Sequence, residues 1–243
     1  MSRLDTLRSD FHVLRSMLRG MPRAATQADQ LAAFYAPQAE HYDRFRERLL
    51  QGREQMIAKL PVVDAASVVD LGGGTGRNIE FFGTRASRIA RYEVVDLCAP
   101  LLERARERGR RFPQLRATCA DATSWQASEK ADIVILSYAL TMIPNWRAAI
   151  ANAMAMLKPG GVLAVVDFYV AAETPLPGCS HHAWLTRWFW PRWFGHDGVR
   201  LDPEQLTTLC TILPTHELTE ARAPVPYLPG LRVPYYAFIG QRR

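Results

Sequence analysis

One stretch of the chain carries its clearest structural signal: Val68-Val69-Asp70-Leu71-Gly72-Gly73-Gly74-Thr75-Gly76. An apolar run ends there in a turn with four glycines, and a helical pattern begins at Arg77. Glycines at such a turn let a ligand approach the backbone closely, and the first N–H groups of the helix are free to bind it. The stretch therefore predicts a strand, a ligand-binding turn and a helix in succession.

Short apolar runs of the same kind recur along the chain and alternate with helical patterns. The predicted strands cover residues 67–71, 91–95, 115–119, 133–137 and 162–168, and the predicted helices cover 77–82, 100–109 and 146–157. This alternation is typical of a parallel sheet with helices on both faces. Two further runs, near 216–222 and 233–240 with little helix between them, predict a closing antiparallel pair.

The spacing of the glycines distinguishes between nucleotide-binding motifs. A dinucleotide-binding G-x-G-x-x-G counted from Gly72 needs a glycine where the chain has Arg77, and a Walker A lysine is also missing. The pattern that fits is D-x-G-x-G-x-G, formed by Asp70, Gly72, Gly74 and Gly76. It resembles the first motif of class I S-adenosylmethionine-dependent methyltransferases.

Three more features stand where that family has them. Asp96 follows the second strand, where an acid accepts the ribose hydroxyls, and Asp121 follows the third, where it holds the adenine amino group. Lys158-Pro159-Gly160-Gly161 matches the turn that precedes the fifth strand in the family. Acids that merely cap helices would explain one aspartate, but not the whole combination.

The resemblance implies an enzyme with S-adenosyl-L-methionine as cofactor and S-adenosyl-L-homocysteine as product. It also implies a Rossmann-like α/β fold with a mostly parallel, seven-stranded sheet and helices on both faces. Tyr42 matches the position that closes over the methionine carboxylate in related enzymes. The cofactor site that the resemblance implies consists of Tyr42, Asp70, Gly72, Gly73, Gly74, Gly76, Asp96, Leu97, Asp121, Ala122 and Ser137.

Further blocks carry a narrower resemblance. They are Tyr42-Asp43 with Phe45-Arg46, and the stretches over residues 137–144, 165–169, 187–194, 225–229 and 234–240. They look like the methyltransferase of betaine-lipid synthesis, which trimethylates the amine of diacylglyceryl-homoserine. The similarity covers about residues 30–243, and its most specific part is the tryptophan-rich block at 187–194.

Methyl transfer from a sulfonium is an in-line displacement, so the protein mainly has to align the acceptor with the methyl carbon. Tyr138 and Asp167 follow the fourth and fifth predicted strands, at the carboxyl ends where open α/β sheets bind ligands. The candidates for substrate positioning or proton acceptance are Tyr138, Asp167, Tyr169 and His181. We expect no metal site, because His181 and His182 lack a nearby third ligand.

Composition describes a globular, basic chain of 243 residues, in which 30 Lys and Arg against 24 Asp and Glu give a net charge of +6. Its 48% hydrophobic and 22% charged residues exclude a disordered chain. We see neither a membrane-spanning run nor a secretory signal, so we expect a cytoplasmic protein. The positive charge predicts an acidic partner, either an anionic membrane surface or nucleic acid.

A cluster of tryptophans favours the membrane. It consists of Trp184, Trp188, Trp190 and Trp193, with Arg187 and Arg192 among them. Indole rings at headgroup depth and guanidinium groups on phosphate suit a lipid interface. The same cluster also fits an aromatic lid packed on the edge of the sheet, and the two interpretations are compatible.

Residues 1–25 form a separate amphipathic extension to a methyltransferase domain at 26–243. Apolar residues repeat there at helical spacing, at Leu4, Leu7, Phe11, Leu14 and Leu18. The helix that they predict could lie in a membrane surface, pack on the domain or form a dimer contact. We favour the membrane, because basic residues flank the stripe.

The sequence as a whole predicts N-methylation of a lipid headgroup amine, by an enzyme held peripherally on the inner face of the membrane. It leaves open phosphatidylethanolamine as acceptor, methylation of a small molecule or RNA, and a non-catalytic S-adenosylmethionine-binding or membrane-binding protein. We expect no nucleic-acid partner, since no RNA-binding appendage is recognisable. The oligomeric state remains open.

Overall fold

The computed structural model of the chain describes residues 21–22, 24–36, 47–226, 228 and 230–243. The helix predicted for the N-terminal extension and the predicted cofactor residue Tyr42 lie outside these residues. Within them, no helix combines the length and the hydropathy needed to cross a membrane.

The strands form one sheet of seven. They are β1 (Ala66–Leu71), β2 (Ile89–Asp96), β3 (Leu115–Cys119), β4 (Ala131–Ser137), β5 (Leu157–Phe168), β6 (His216–Pro224) and β7 (Arg232–Gln241). Their order is β3-β2-β1-β4-β5-β7-β6. Strands β1 to β5 pair in parallel, and β7 runs antiparallel to both β5 and β6. The expected mostly parallel sheet and its closing antiparallel pair are confirmed.

Helices cover the sheet and begin at recognisable signals. They are α1 (Gln27–Tyr35), α2 (Arg53–Ala58), α3 (Ala99–Gly109), α4 (Trp146–Met156), α5 (Trp184–Gly195) and α6 (Glu204–Ile212). Thr26 caps α1, because its hydroxyl accepts the Asp29 N–H at 3.1 Å. The Asn145 side chain caps α4 by accepting the Ala148 N–H at 3.3 Å.

The expected helix after the glycine turn differs from the structure. Residues Arg77–Arg88 form a 3-10 segment instead, interrupted at Gly83, whose φ of 56° and ψ of −132° are not helical. The expected turn at 158–161 lies inside β5, which already begins at Leu157, and Gly160 there has a positive φ of 75°. Leu157 pairs with Ala131, and the register then shifts before Ile133. That irregularity lets the strand absorb the glycines.

The topology places a crevice at the carboxyl ends of the central strands. Strand β1 is buried at all six of its positions and lies between β2 and β4. The chain order of the strands reverses there, since β2 and β3 continue to one side and β4 and β5 to the other. Open α/β sheets bind their ligands at such a switch point.

Candidate active site

The glycine turn after β1 is shaped by positive backbone angles. Gly72, Gly74 and Gly76 have φ values of 67°, 53° and 67°, which side-chain-bearing residues rarely adopt. The Gly72 N–H donates to the Val95 carbonyl at 2.7 Å, which holds the turn against the end of β2. A Cβ on Gly72 would lie 2.6 Å from the Ala139 Cβ. The turn therefore presents bare backbone to the crevice.

Asp96 fixes this turn from the neighbouring strand. One carboxylate oxygen accepts the Gly74 N–H at 2.9 Å, and the other accepts the Cys98 N–H at 2.8 Å. Burial raises the pKa of Asp96, while these two N–H groups act in the opposite direction. A carboxylate has about four acceptor positions, so Asp96 can still receive hydroxyl groups from a ligand.

Asp70 supports the turn from beneath and does not line the crevice. Its side chain is fully buried, with the Tyr92 hydroxyl donating at 2.8 Å and the Asn78 amide at 3.1 Å. A Cβ on Gly73 would lie 2.7 Å from the Asp70 Cγ, so the carboxyl group touches the turn. Burial raises the pKa of Asp70 to about 7. The residue acts on the ligand through the turn that it holds.

The crevice consists of two adjoining lobes. The first lobe is lined by six of the predicted cofactor residues: Gly72, Gly74, Asp96, Leu97, Asp121 and Ala122. Apolar side chains of α1 and α3 close it, namely Leu31, Tyr35 and Leu101. Two acids and an apolar slot suit a nucleoside, whose ribose and amino group donate hydrogen bonds and whose base is flat. The residues of the first lobe therefore fit the adenosine part of S-adenosyl-L-methionine.

The second lobe continues from the same turn towards β4 and β5. It shares Tyr35, Gly72, Gly74, Tyr138 and Met142 with the first lobe. Its walls hold two buried polar atoms, Ser137 Oγ and Asn78 Oδ1, which have no hydrogen-bond partner among the described residues. Buried polar groups are normally paired, so these two atoms are exceptions. Arg53 and Arg77 also line this lobe, so a negatively charged group suits it.

Tyr138 stands between the two lobes. It has a positive φ of 53°, and its hydroxyl donates to the Gln51 carbonyl at 2.6 Å. Its ring lies edge-on to Phe168, with the ring centroids 4.6 Å apart. Burial raises the pKa of Tyr138 well above its ordinary value. The side chain is therefore a neutral wall and hydrogen-bond donor, and not a proton acceptor.

Asp167 lies behind the second lobe. It is fully buried and accepts hydrogen bonds from the Thr141 hydroxyl at 2.8 Å, the Thr141 N–H at 3.1 Å and the Phe168 N–H at 2.8 Å. Burial raises its pKa to about 7. Since Thr141 lines the lobe, Asp167 positions the lining without reaching the cavity.

The structure places Tyr169 and His181 away from both lobes. The Tyr169 hydroxyl donates to Glu220 and lines a separate small cavity, and its ring contacts His182 at 4.9 Å. His181 is exposed beside it. For Tyr169 the reason is that neighbouring side chains of an extended chain point to opposite faces of the sheet. At the end of β5 it is therefore Phe168, and not Asp167 or Tyr169, that faces the crevice.

The second lobe is also lined by two arginines that were not predicted from the sequence. Arg53, at the start of α2, is only 8% exposed, and its Nε donates to the Leu50 carbonyl at 3.2 Å. Arg77 follows the glycine turn and pairs with Glu47 at 2.6 Å. The sequence did contain a signal for Arg53. Arg53 lies three and four residues before the apolar Met56 and Ile57, and this helical spacing places its charge on the buried face of the helix.

Comparison with known proteins identifies the family of the chain. The methyltransferase domain family matches residues 32–220. Among curated proteins, trans-aconitate 2-methyltransferase of Variovorax paradoxus is 33% identical over 125 residues, which cover 51% of this chain and 47% of that protein. The same enzyme of Paracidovorax citrulli is 32% identical over 126 residues, with 51% and 47% covered. The chain thus spans about half the length of the curated relatives that it matches.

Solved structures agree on the fold. Phosphoethanolamine N-methyltransferase 2 of Haemonchus contortus, in complex with phosphomonomethylethanolamine and S-adenosylhomocysteine, has a TM-score of 0.69 at 14% identity, over 91% of this chain and 61% of that one. The N-methyltransferase NodS of Bradyrhizobium japonicum, in complex with S-adenosyl-L-homocysteine, has a TM-score of 0.56 at 16% identity, over 82% and 88%. The chain belongs to the methyltransferase domain family.

Proposed function

We propose that the enzyme methylates the amine of a membrane-lipid headgroup, specifically that of diacylglyceryl-homoserine, and forms the trimethylated betaine lipid at the inner face of the membrane. The composition of the second lobe carries this proposal. Arg53 and Arg77 supply two guanidinium groups, while Tyr138 and Phe168 supply two aromatic rings. A homoserine headgroup has the complementary pair of groups, a carboxylate and an amine that becomes a quaternary cation.

The arginines suit the carboxylate of such an acceptor. Guanidinium groups form strong, directional hydrogen bonds to carboxylates, above all in a buried site. Arg77 is already paired with Glu47 and Glu80, so its charge is largely balanced. Arg53 faces the lobe from a buried position with its Nε held by a carbonyl, which fixes the direction of the guanidinium group. We assign carboxylate binding to Arg53 together with Arg77.

The aromatic rings suit the nitrogen. A methylated ammonium ion is attracted to the faces of aromatic rings and has no N–H groups left to donate once it is trimethylated. Tyr138 and Phe168 contact each other, and Phe168 is also stacked on Phe194 with centroids 4.9 Å apart. The rings are thereby held in place, so they can accommodate the nitrogen through successive methylations.

The described lining of the second lobe also bears on the acceptor's proton. It contains no Asp, Glu or His, and Tyr138 stays neutral because its pKa is raised. The described lining offers an ammonium ion no carboxylate partner, and desolvation in the lobe lowers the pKa of a bound amine. We therefore infer that the proton leaves to water before transfer. When bound, S-adenosyl-L-methionine supplies an electrophilic methyl carbon, and the chain's part is to align the neutral amine with it.

A second candidate is methyl esterification of a small polycarboxylic acid. Similarity to the curated trans-aconitate 2-methyltransferases over 51% of the chain favours it, and so do the two arginines of the second lobe. The aromatic wall favours the lipid amine instead, because an ester product carries no cation for Tyr138 and Phe168 to hold. Nucleic acid is not needed by either candidate.

The test is an acceptor panel with a methyl-labelled donor. Three acceptors are compared at equal concentration: diacylglyceryl-homoserine in vesicles, phosphatidylethanolamine in the same vesicles, and trans-aconitate in buffer. We expect label on the first, in a form that resists mild base because an N–C bond has formed. Label confined to phosphatidylethanolamine, or to a base-labile ester of trans-aconitate, would overturn the proposal.

A matched variant strengthens the panel. Phe168→Leu keeps an apolar side chain but removes the ring from the cation site. We expect it to slow the last methylation more than the first, because only the later intermediates rely on aromatic contact. The monomethyl and dimethyl lipids should then accumulate, whereas a uniform loss at every step would speak against a cation site.

A further inference from the structure

The helix α5 has two faces with different surroundings. Its inner face is packed, since Trp190 and Phe194 are only 4% and 2% exposed and Phe194 stacks on Phe168. Its outer face is open, since Trp184, Leu185 and Trp188 are 70%, 54% and 48% exposed. One side of the helix thus supports the wall of the second lobe, while the other side presents large apolar groups to the surroundings.

This outer face is the densest exposed apolar area among the described residues. The other large apolar side chains exposed there are scattered singly, at Val63, Ile212 and Leu231. Trp184, Leu185 and Trp188 instead fall within five consecutive positions. Isolated exposed apolar residues are normal, but a contiguous group marks a binding surface.

The charges of α5 identify the kind of partner. The helix contains Arg187 and Arg192 and no acidic residue. The Arg192 guanidinium lies 4.7 Å above the Trp188 ring, and its Nη1 donates to the Trp188 carbonyl at 3.0 Å. An indole ring with a guanidinium group beside it matches the boundary of a bilayer, where acyl chains adjoin phosphate groups. A purely apolar protein partner would not require the arginines.

The path of the chain adds an independent observation. The Met21 N–H donates to the His196 carbonyl at 3.1 Å, so the N-terminal extension joins the described structure beside the end of α5. Residues 1–20 hold four arginines against two aspartates. A second basic segment, predicted from its sequence to be amphipathic, therefore precedes a residue that contacts the C-terminal end of α5.

We propose that the outer face of α5, formed by Trp184, Leu185, Trp188 and Arg192, docks on an anionic phospholipid bilayer. The inference rests on the proposed function in one respect: docking would present headgroups to the lobe whose wall the same helix supports. Docking itself requires no methyl transfer, so the two can be tested separately.

The first experiment measures binding to vesicles that contain no acceptor lipid. Wild-type protein is sedimented with vesicles of phosphatidylcholine alone and with vesicles that also contain phosphatidylglycerol. We expect binding to the anionic vesicles, and a loss of at least about tenfold in Trp184→Ala/Trp188→Ala, since two exposed indole rings no longer enter the interface. Arg192→Gln should weaken binding by about threefold and reduce its salt dependence.

A matched control removes apolar area elsewhere. Val63→Ala/Ile212→Ala changes two exposed side chains outside the outer face, and we expect its vesicle binding to equal that of the wild type. Both double variants should retain their affinity for S-adenosyl-L-homocysteine, which shows that they are folded. Equal binding of all variants, or no binding of the wild type because the face is covered by a second copy or by residues 1–20, would overturn the inference.

A second experiment separates docking from the proposed function. Methylation rates are compared for diacylglyceryl-homoserine in vesicles and for its deacylated, water-soluble headgroup. If α5 docks, Trp184→Ala/Trp188→Ala should lose rate on the vesicles but not on the free headgroup. Vesicle binding without methylation of either acceptor would contradict the proposed function alone, while equal rates of variant and wild type on vesicles would contradict docking alone.

Discussion

The two lobes of the crevice are built in different ways. The first lobe takes its polar residues from the ends of three consecutive strands, with Gly72 after β1, Asp96 at the end of β2 and Asp121 after β3. The second lobe combines segments that are far apart in the chain, from Arg53 through Ser137 to Val199. These residues of the first lobe therefore share one local position, the end of a strand, whereas the residues of the second lobe come together only through tertiary packing. A donor common to many enzymes can be read from short motifs, whereas the acceptor site cannot.

The largest effect should come from removing the acid of the first lobe. Asp96→Ala takes away the acceptor of the Gly74 and Cys98 N–H groups and of the ribose hydroxyls, so affinity for S-adenosyl-L-homocysteine should fall about 100-fold. Isothermal titration calorimetry measures this. Asp64→Ala removes an exposed carboxylate that pairs with Arg88, and it should leave the affinity unchanged. Equal affinities of both variants would remove Asp96 from the cofactor site.

The complementary change is made in the second lobe. Arg53→Gln should raise the KM for a carboxylate-bearing acceptor about thirtyfold, because a charge-assisted hydrogen bond is lost. The affinity for S-adenosyl-L-homocysteine should stay within about twofold of the wild type. Steady-state kinetics and calorimetry together check this. If the donor affinity falls and the acceptor KM does not, Arg53 belongs to the donor site and the division between the lobes is wrong at this residue.

A third change acts on the wall that both lobes share. Gly72→Ala places a methyl group at a positive φ of 67° and against Ala139, whereas Gly178→Ala meets a positive φ of 85° with no atom within 4 Å. The conformational cost is about 1–2 kcal/mol in both variants. Crowding adds about 1–3 kcal/mol at Gly72 alone. Urea unfolding should therefore show Gly72→Ala to be the less stable of the two, and equal stability would mean that the turn can move away from Ala139.

A fourth change concerns the acid behind the second lobe. Burial raises the pKa of Asp167 from 3.8 to about 7, so the folded chain keeps a proton there that the unfolded chain releases. The free energy of unfolding should therefore fall as pH rises from about 4 to about 7, by up to about 1.4 kcal/mol per pH unit for this group, and then level off. Asp70 contributes in the same direction.

Asp167→Asn should make that decline shallower, because one of the three described acids whose pKa burial raises no longer titrates. Urea unfolding at several pH values measures the slope. An unchanged slope would show that Asp167 is ionised in the folded chain across this range, which its hydrogen bonds from Thr141 and Phe168 would then have to explain.

The sequence predicted the fold and most of the first lobe for the same physical reason. Glycines at positive φ and acids at strand ends are local requirements, and Gly72, Asp96 and Asp121 all line the cavity as expected. Asp70 was expected at the cofactor but lies beneath the turn, because the strand directs its side chain to Tyr92. Tyr42 stays a prediction, since it lies outside the described residues.

The second lobe was only partly predictable. Tyr138 lines it as expected, and Ser137 lines it although it was expected at the cofactor. Tyr169 and His181 lie elsewhere. The end of a predicted strand locates a residue but does not show which face of the sheet its side chain points to. The prediction therefore named Asp167 and Tyr169, whereas Phe168, between them, lines the lobe. Arg53 could be assigned only once α2 was seen to pack beside the turn.

One competition experiment tests whether the acceptor is a lipid amine. A single reaction contains methyl-labelled S-adenosyl-L-methionine, vesicles with diacylglyceryl-homoserine, and trans-aconitate at the same concentration, and the products are identified by mass spectrometry. We expect the mono-, di- and trimethylated lipids, with the new methyl groups on nitrogen. A methyl ester of trans-aconitate, with the lipid unchanged, would contradict it.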